Sequence, residues 1–297
     1  MSIPAISSYD LPQNKDLPVN RVKWRIEPKR AVLLIHDMQT YFLRFYGAES
    51  ALLQQIIGHI QALKAWARQQ QIPVVYTAQP QQQSPAERAL LNDMWGPGLT
   101  QAEPEQVQVH PALSPDADDL VLVKWRYSAF QRSPLEAQMQ AWQRDQLIIC
   151  GVYAHIGCLT TALDGFMRDI QCFMVADAVA DFSAAEHLQA LHYVAGRCGV
   201  VCDTASCLQI AAVTQANPLD FDFSHFKAAI LTCLSEAEAE LDLDDNLLDF
   251  GLDSVQVMEL LGAWQRAGLA LNFAQFARKT TLRAWWDLVQ TAQALAS

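Results

Sequence analysis

The sequence predicts a two-part protein: a three-layer α/β/α sandwich built on a mostly parallel sheet, followed by a small all-α helical bundle. Three observations carry this prediction. Short apolar, β-branched runs alternate with stretches of helical periodicity over the first 216 residues, the alternation stops at Asn217-Pro218, and the remainder of the chain is acidic and purely helical in pattern. A chain of 297 residues is long enough for two domains. With 51% hydrophobic and 18% charged residues, its composition is that of a folded globular protein.

Strands are expected at Ala31–His36, Pro73–Ala78, Leu120–Lys124, Gln146–Cys150, Cys172–Val175 and Gly199–Cys202. Each is a near-continuous apolar run, as a strand covered on both faces of a parallel sheet requires. Ser50–Gln70 is the clearest connecting helix, because Leu52, Ile56, Ile57, Ile60, Leu63 and Trp66 recur at helical spacing. Pro134–Arg144, Ile156–Asp169, Ser183–Ala195 and Thr204–Ala216 repeat the pattern more briefly. The break at Asn217-Pro218 divides the chain into a first domain at 1–216, a linker at 217–224 and a helical domain at 225–297. Helices in the last part are expected at Phe226–Leu234, Val255–Arg266 and Leu282–Leu295.

Charge and cysteine content narrow the function classes. The net charge of −11 argues against nucleic acid or an anionic membrane as partner, since phosphate binding needs a basic face. No apolar stretch approaches the ~18 residues that suggest a membrane span. Seven cysteines, an odd number scattered through apolar segments, point to core thiols in a reducing cytoplasm rather than a disulfide framework. Neither the cysteines nor the histidines show zinc spacing, so no metal is expected.

In open parallel sheets, ligands bind beyond the carboxyl ends of the strands. The residues there are Asp37, Gln79, Lys124, and Tyr153 with Gly157, which gather an acid, an amide, a cation and a phenol on one rim. A lone Asp after a strand is usually a turn or cap residue; four convergent polar groups are not explained that way. His36 and His155 flank these positions and are read as supporting hydrogen bonds, while His187 and His192, on a helix, are read as core or surface contacts.

The segments Leu-Leu-Ile-His-Asp37-Met-Gln, Val-Lys124-Trp-Arg-Tyr-Ser and Cys-Gly-Val-Tyr153-Ala-His-Ile-Gly157-Cys resemble the isochorismatase-like superfamily over roughly Ile3–Ala216. Its hydrolase members place an Asp, a Lys and a nucleophilic Cys at these three positions. Here the third is Gly157, and Cys158, one residue on, is turned away by about 100°. That departure resembles the isochorismate-cleaving members, as do Phe42, Gln79 and the run Arg88-Ala-Leu-Leu-Asn-Asp-Met-Trp95-Gly-Pro-Gly. The resemblance implies catalytic roles for Asp37, Lys124 and Gly157. It implies a substrate pocket in which Arg88 takes a carboxylate, Gln79 donates, and Phe42, Trp95 and Tyr153 wall the ring. It also implies a cis peptide near Val152-Tyr153 and a homodimer. The implied chemistry is vinyl ether hydrolysis: protonated Asp37 gives its proton to the enolpyruvyl methylene, water captures the oxocarbenium ion, and pyruvate leaves. Lys124 is assigned to positioning Asp37 and binding substrate. A Cys introduced at 157 is expected to clash with the substrate ring.

The second domain carries Asp-Asp-Asn-Leu-Leu-Asp-Phe-Gly251-Leu-Asp-Ser254-Val-Gln-Val-Met-Glu-Leu, which resembles the phosphopantetheine attachment site of acyl and peptidyl carrier proteins. Ser254 is expected at the N-cap of an amphipathic helix whose apolar face is Val255, Val257, Met258 and Leu261. From Asp220 onward there are twelve acidic and five basic residues, a charge of −7 in 78 residues, which suits docking on basic partner surfaces. Val255, Met258 and Phe273–Phe276 are candidates for the apolar part of that surface.

Together the halves resemble the bifunctional isochorismatase and aryl carrier proteins of catecholate siderophore biosynthesis. The implied cofactor is 4'-phosphopantetheine on Ser254, carrying an activated 2,3-dihydroxybenzoyl group as a thioester. Implied partners are isochorismate, a phosphopantetheinyl transferase, a 2,3-dihydroxybenzoate-AMP ligase and the condensation domain of a nonribosomal peptide synthetase. Two alternatives stay open: 2-amino-2-deoxyisochorismate as substrate, which the attached carrier disfavours, and an inactive scaffold fused to a working carrier. Amide hydrolysis of the nicotinamidase type is disfavoured by Gly157.

Overall fold

The structure, a computed structural model, describes residues 3–47, 49–215, 222–231, 233–234, 242–266 and 269–296. The chain divides into two compact units, Met1–Ala211 and Ala212–Ser297.

In the first unit, β1 (Ala31–His36), β2 (Val74–Ala78), β3 (Leu120–Val123), β4 (Gln146–Val152), β5 (Gln171–Ala180) and β6 (Gly199–Cys202) form one parallel sheet in the order β3-β2-β1-β4-β5-β6. All of β1 and β4 is buried, and alternate residues of β1 feed two cores. Ala31, Leu33 and Ile35 face α1 (Ala51–Gln69) through Leu52, Ile56, Ile60, Leu63 and Trp66. Val32 and Leu34 face the opposite core, to which α2 (Leu135–Ala141), α3 (Leu159–Phe166) and α4 (Ala184–Arg197) contribute Leu135, Met139, Ala162, Ala190, Leu191 and Val194. Each large aliphatic side chain so buried contributes about 1.5–3 kcal/mol relative to exposure. Ser50 opens α1 by accepting a hydrogen bond from the Leu53 amide, one of the donors a helix start leaves unpaired. A further helix, α5, spans Thr204–Gln215.

The strand order reverses between β1 and β4, so the crevice at their carboxyl ends is the natural ligand site. Several sequence boundaries shift, β4 running on to Val152 instead of ending at Cys150, and two shifts bear on the site. β5 continues five residues past Val175, through Ala176-Asp-Ala-Val-Ala180, a stretch that local β preference does not favour. It is strand because it sits buried beside the end of β4, past a register shift between Ile149 and Gly151. The helix expected from Ile156 instead begins as a wide turn, Ala154–Cys158, before α3.

The second unit packs α6 (Phe223–Leu231), α7 (Ser254–Arg266), α8 (Phe273–Phe276) and α9 (Leu282–Ala296). Its core includes Phe226, Ile230, Leu247, Trp264, Phe276, Trp285 and Val289. The Trp285 indole N–H, buried there, donates to the carbonyls of Phe276 and Lys279 at 3.0 and 2.7 Å. Asp222 accepts a hydrogen bond from the His225 amide at the start of α6, which takes Phe223 and Ser224 out of the expected linker and into helix. The rest of that linker, 217–221, and the break at Asn217-Pro218 lie outside the described residues. Among the described residues no helix is long and apolar enough to cross a membrane.

Candidate functional site

The strand ends build the site. Asp37 follows β1 with φ of +51°, a left-handed backbone that Asp adopts more readily than most side chains. Thr77, paired with His36 across β1 and β2, holds it at two points. The Thr77 hydroxyl oxygen accepts from the Asp37 amide at 3.2 Å, and the hydroxyl donates to Asp37 Oδ1 at 2.9 Å. Lys124, just past β3, donates from Nζ to Asp37 Oδ2 at 2.7 Å. Both side chains are almost wholly withdrawn from solvent, Asp37 at 5% and Lys124 at 2% exposure. A pair this deep is expensive to separate, because removing one partner strands the other's charge.

These groups open into a cavity. It is lined by Asp37, Gln79, Lys124, Tyr153 and Gly157 from the strand ends and by Phe42, Arg88 and Trp95, which the resemblance implied. Gln79 is placed by Gln39, whose buried side-chain amide accepts from the Gln79 N–H at 2.8 Å and donates to its carbonyl at 2.9 Å. Arg88 is 4% exposed. Its Nε donates to the Gly96 carbonyl at 2.8 Å, while Nη1 is buried without a partner. Burial lowers the Arg88 pKa, and a buried guanidinium with an unused donor is ready to bind a ligand carboxylate. Glycine at 98 makes room for it: a Cβ there would collide with Arg88 Nη2 and lie 3.1 Å from Cζ.

The aromatic wall is tied together rather than loose. The Tyr153 hydroxyl donates to the Phe42 carbonyl at 2.6 Å, so the ring faces the cavity but its O–H is spent within the protein. Burial raises its pKa well above the ordinary phenol value. The Trp95 indole N–H donates to the Tyr127 hydroxyl at 2.7 Å. The Val152–Tyr153 peptide is cis, as the resemblance implies. Cys158 is fully buried in the core opposite α1, and burial raises its thiol pKa well above the ordinary value, so no thiolate faces the cavity from that position.

The strand-end reading missed Thr77, Tyr127 and Phe182. Phe182 packs on Tyr153 with ring centroids 4.7 Å apart and lines the cavity. It follows Asp181, whose buried carboxylate accepts from the amides of His155 and Phe182 and pairs with the His155 ring. His155 therefore makes the supporting contact expected of it. Burial opposes its charge, but the Asp181 hydrogen bond and attraction outweigh this and raise its pKa. Applying the strand-end rule to β5 would have found Phe182, had the end of β5 been placed correctly. His187 is buried, with Nε2 3.0 Å from the Ala176 carbonyl, and His192 is exposed.

In the second unit, Ser254 is exposed and opens α7, but it is not the cap. Asp253 is: its Oδ1 accepts from the amides of Val255 and Gln256 at 2.9 and 2.8 Å, and Gln256 Oε1 accepts from the Asp253 amide at 2.8 Å. This reciprocal capping box satisfies donors that the serine was expected to serve. The apolar face of α7 also differs from expectation. Val257, Leu260, Leu261 and Trp264 are core, whereas Val255 and Met258 are 57% and 53% exposed. Phe276 is core and Phe273 is exposed. The exposed hydroxyl with no capping duty fits covalent attachment of phosphopantetheine at Ser254.

A cavity lined by a paired acid with no cysteine among its described residues, on a chain that also carries an exposed serine at a helix start, fits one class: a hydrolase joined to a carrier. Comparison with known proteins sharpens this. The Isochorismatase domain family matches residues 31–206, and the Phosphopantetheine attachment site family matches residues 226–289. Enterobactin synthase component B of Escherichia coli (strain K12) is 52% identical over 289 residues, covering 97% of this chain and 98% of that protein. An isochorismatase of Bacillus subtilis (strain 168) is 44% identical over 301 residues, covering 98% of this chain and 96% of that protein. Among solved structures, a cysteine hydrolase from Pseudomonas syringae pv. phaseolicola 1448A is similar with a TM-score of 0.59 at 28% identity, covering 66% of this chain and 97% of that one. The chain belongs to the isochorismatase family and is an isochorismatase hydrolase fused to a phosphopantetheine carrier domain.

Proposed function

We propose that the cavity hydrolyses the enolpyruvyl ether of isochorismate, and that Ser254 carries the 2,3-dihydroxybenzoyl group, formed from that product by a separate two-electron dehydrogenation and then activated, toward a siderophore. The observation that carries the first half is the buried Asp37–Lys124 pair facing a cavity whose other charged group is the Arg88 guanidinium with a free donor. A dicarboxylate with an apolar ring matches that lining: Arg88 and the Gln79 amide bind carboxylate oxygens, while Phe42, Trp95 and Tyr153 enclose the ring. Phe182 completes the wall.

Asp37 acts as general acid. Its proton adds to the terminal methylene carbon, leaving an oxocarbenium ion at the ether carbon. Water adds there and returns a proton to the Asp37 carboxylate. The hemiketal then breaks its bond to the ring oxygen, which takes up a proton, giving pyruvate and 2,3-dihydro-2,3-dihydroxybenzoate. Thr77 and Lys124 aim the carboxyl group through one oxygen each, and Lys124 adds positive charge beside a dianionic substrate. Gly157 lines the cavity with no side chain that could act as a nucleophile.

In the carrier, phosphopantetheine on Ser254 supplies the thiol for acyl transfer. The exposed Val255, Met258 and Phe273 and the acidic charge of this unit provide the surface for a transferase, an aryl-adenylating ligase and a condensation domain. The catalytic domain is proposed to end near 216 and the carrier to follow it. The protein is proposed to act in the cytoplasm, and two copies are proposed to pair through the catalytic unit, where Leu90, Met94 and Met167 are exposed. Purified protein is expected to release pyruvate from isochorismate, followed by a coupled lactate dehydrogenase assay, and to gain phosphopantetheine at Ser254 from coenzyme A and a transferase, read by peptide mass spectrometry. No pyruvate would leave the carrier as the working half; no mass gain would leave the hydrolase.

A further inference from the structure

His36 ends β1 fully buried, yet it does not line the cavity. Its Nδ1 donates to the Val152 carbonyl at 2.9 Å, which fastens the ring to the end of β4. Burial pushes its pKa down to about 4, so the ring is uncharged at neutral pH. The nearest Asp37 oxygen is 3.8 Å from Nδ1, too far for a hydrogen bond. This geometry offers no proton relay to Asp37.

What the ring does is occupy space. A Cβ added at Gly157 would lie 3.0 Å from His36 Nδ1, 2.9 Å from Nε2 and closer still to Cε1, where non-bonded carbons need about 3.5–4.0 Å. The obstacle is not the free end of a flexible chain. It is a planar ring enclosed on all sides, tied at Nδ1 and carried on a strand paired with β4 through His36 and Gly151.

We infer that His36 is a specificity-determining positioning residue: its imidazole fills the place that any side chain at 157 would need, so His36 rather than the substrate requires glycine there. This revises the expectation that a Cys at 157 would be stopped by the substrate ring; it meets the protein first. On this fold the choice between nucleophilic attack and acid catalysis is then a two-residue choice, made on β1 as well as at 157. A thiol cannot be installed beside Asp37 and Lys124 until the imidazole is cut back. With the ring in place, the floor of the site stays flat and Asp37 has open access to the substrate.

The test is a double-mutant cycle on the full chain with Gly157→Ala, His36→Asn and both. Asn keeps a donor near the Nδ1 place for the Val152 carbonyl and deletes Cε1 and Nε2. Gly157→Ala is expected to lower the Tm, measured without substrate, by roughly 2–12 °C. It is expected to lower kcat/KM for pyruvate release by about tenfold to a hundredfold. The double variant should recover both toward the values of His36→Asn alone. If Gly157→Ala does not fold, a folded and active double variant is the supporting result. The inference is overturned if the double variant fails to recover either quantity. It is also overturned if Gly157→Ala melts with the wild type and only raises KM, which would place the clash on the substrate. The kinetic arm rests on the isochorismate reading and the melting arm does not, so a wild-type protein that releases no pyruvate refutes that reading while the melting cycle still judges His36.

Discussion

The two units handle reactivity in opposite ways. The first buries its charged groups: Asp37, Lys124 and Arg88 are all nearly inaccessible, held by Thr77, by each other and by the Gly96 carbonyl. The second exposes its functional hydroxyl on the first turn of a helix, beside apolar side chains that its own core leaves out. The contrast shows where each obtains its chemistry. A buried acid acts on a small substrate that enters, in a secluded site where charge interactions are strong. An exposed serine acts only through what is attached to it and through the proteins that handle it.

The sharpest way to separate the units is a reciprocal pair of substitutions. Ser254→Ala should abolish phosphopantetheine loading, read by mass spectrometry, with pyruvate release at the wild-type rate. Asp37→Asn should load normally and lose about 10²–10⁴-fold in kcat, the range general acid catalysis supplies. Loss of both activities in either variant would mean that the units are not independent.

Within the catalytic unit, Arg88→Lys tests whether the guanidinium is needed for its planar fork or only for its charge. Lys cannot satisfy the Gly96 carbonyl and a carboxylate in the same plane. KM for isochorismate should rise about 10–100-fold with a smaller change in kcat; an unchanged KM would remove Arg88 from substrate binding.

The smallest effect is one of pH. Burial lowers the pKa values of His36 and His187 to about 4, whereas in the unfolded chain they return to about 6.5. Between those values the unfolded chain binds more protons, so stability falls as pH drops from about 6.5 toward 4. The carrier's one histidine, His225, is exposed. Calorimetry across that window should therefore show the catalytic transition moving down in temperature while the carrier transition stays closer to its place. Substituting His187 by Gln should reduce the shift.

The sheet was legible because β1 and β4 are unbroken apolar runs, which no other common element explains as well. The rim came with it, giving Asp37, Gln79, Lys124, Tyr153 and Gly157, whereas Phe42, Arg88 and Trp95 were reached through the family resemblance. What stayed hidden depended on tertiary context. The end of β5 is a run of Ala, Asp and Val that becomes strand only because β4 lies beside it, and Phe182 was lost with it. The identity of the α7 cap turned on whether Asp253 or Ser254 lay half outside the helix, a one-residue distinction that spacing does not resolve. The collision between His36 and position 157 joins residues 121 apart in the chain, and only the β1–β4 pairing brings them together.

That the fastening of α7 belongs to Asp253 has a consequence for how the carrier works. Esterifying the neighbouring hydroxyl removes no bond that the helix relies on, so bare and loaded forms share one scaffold. Each enzyme that visits then meets the same surface whatever cargo hangs from it, and must tell an empty arm from a full one by the arm itself.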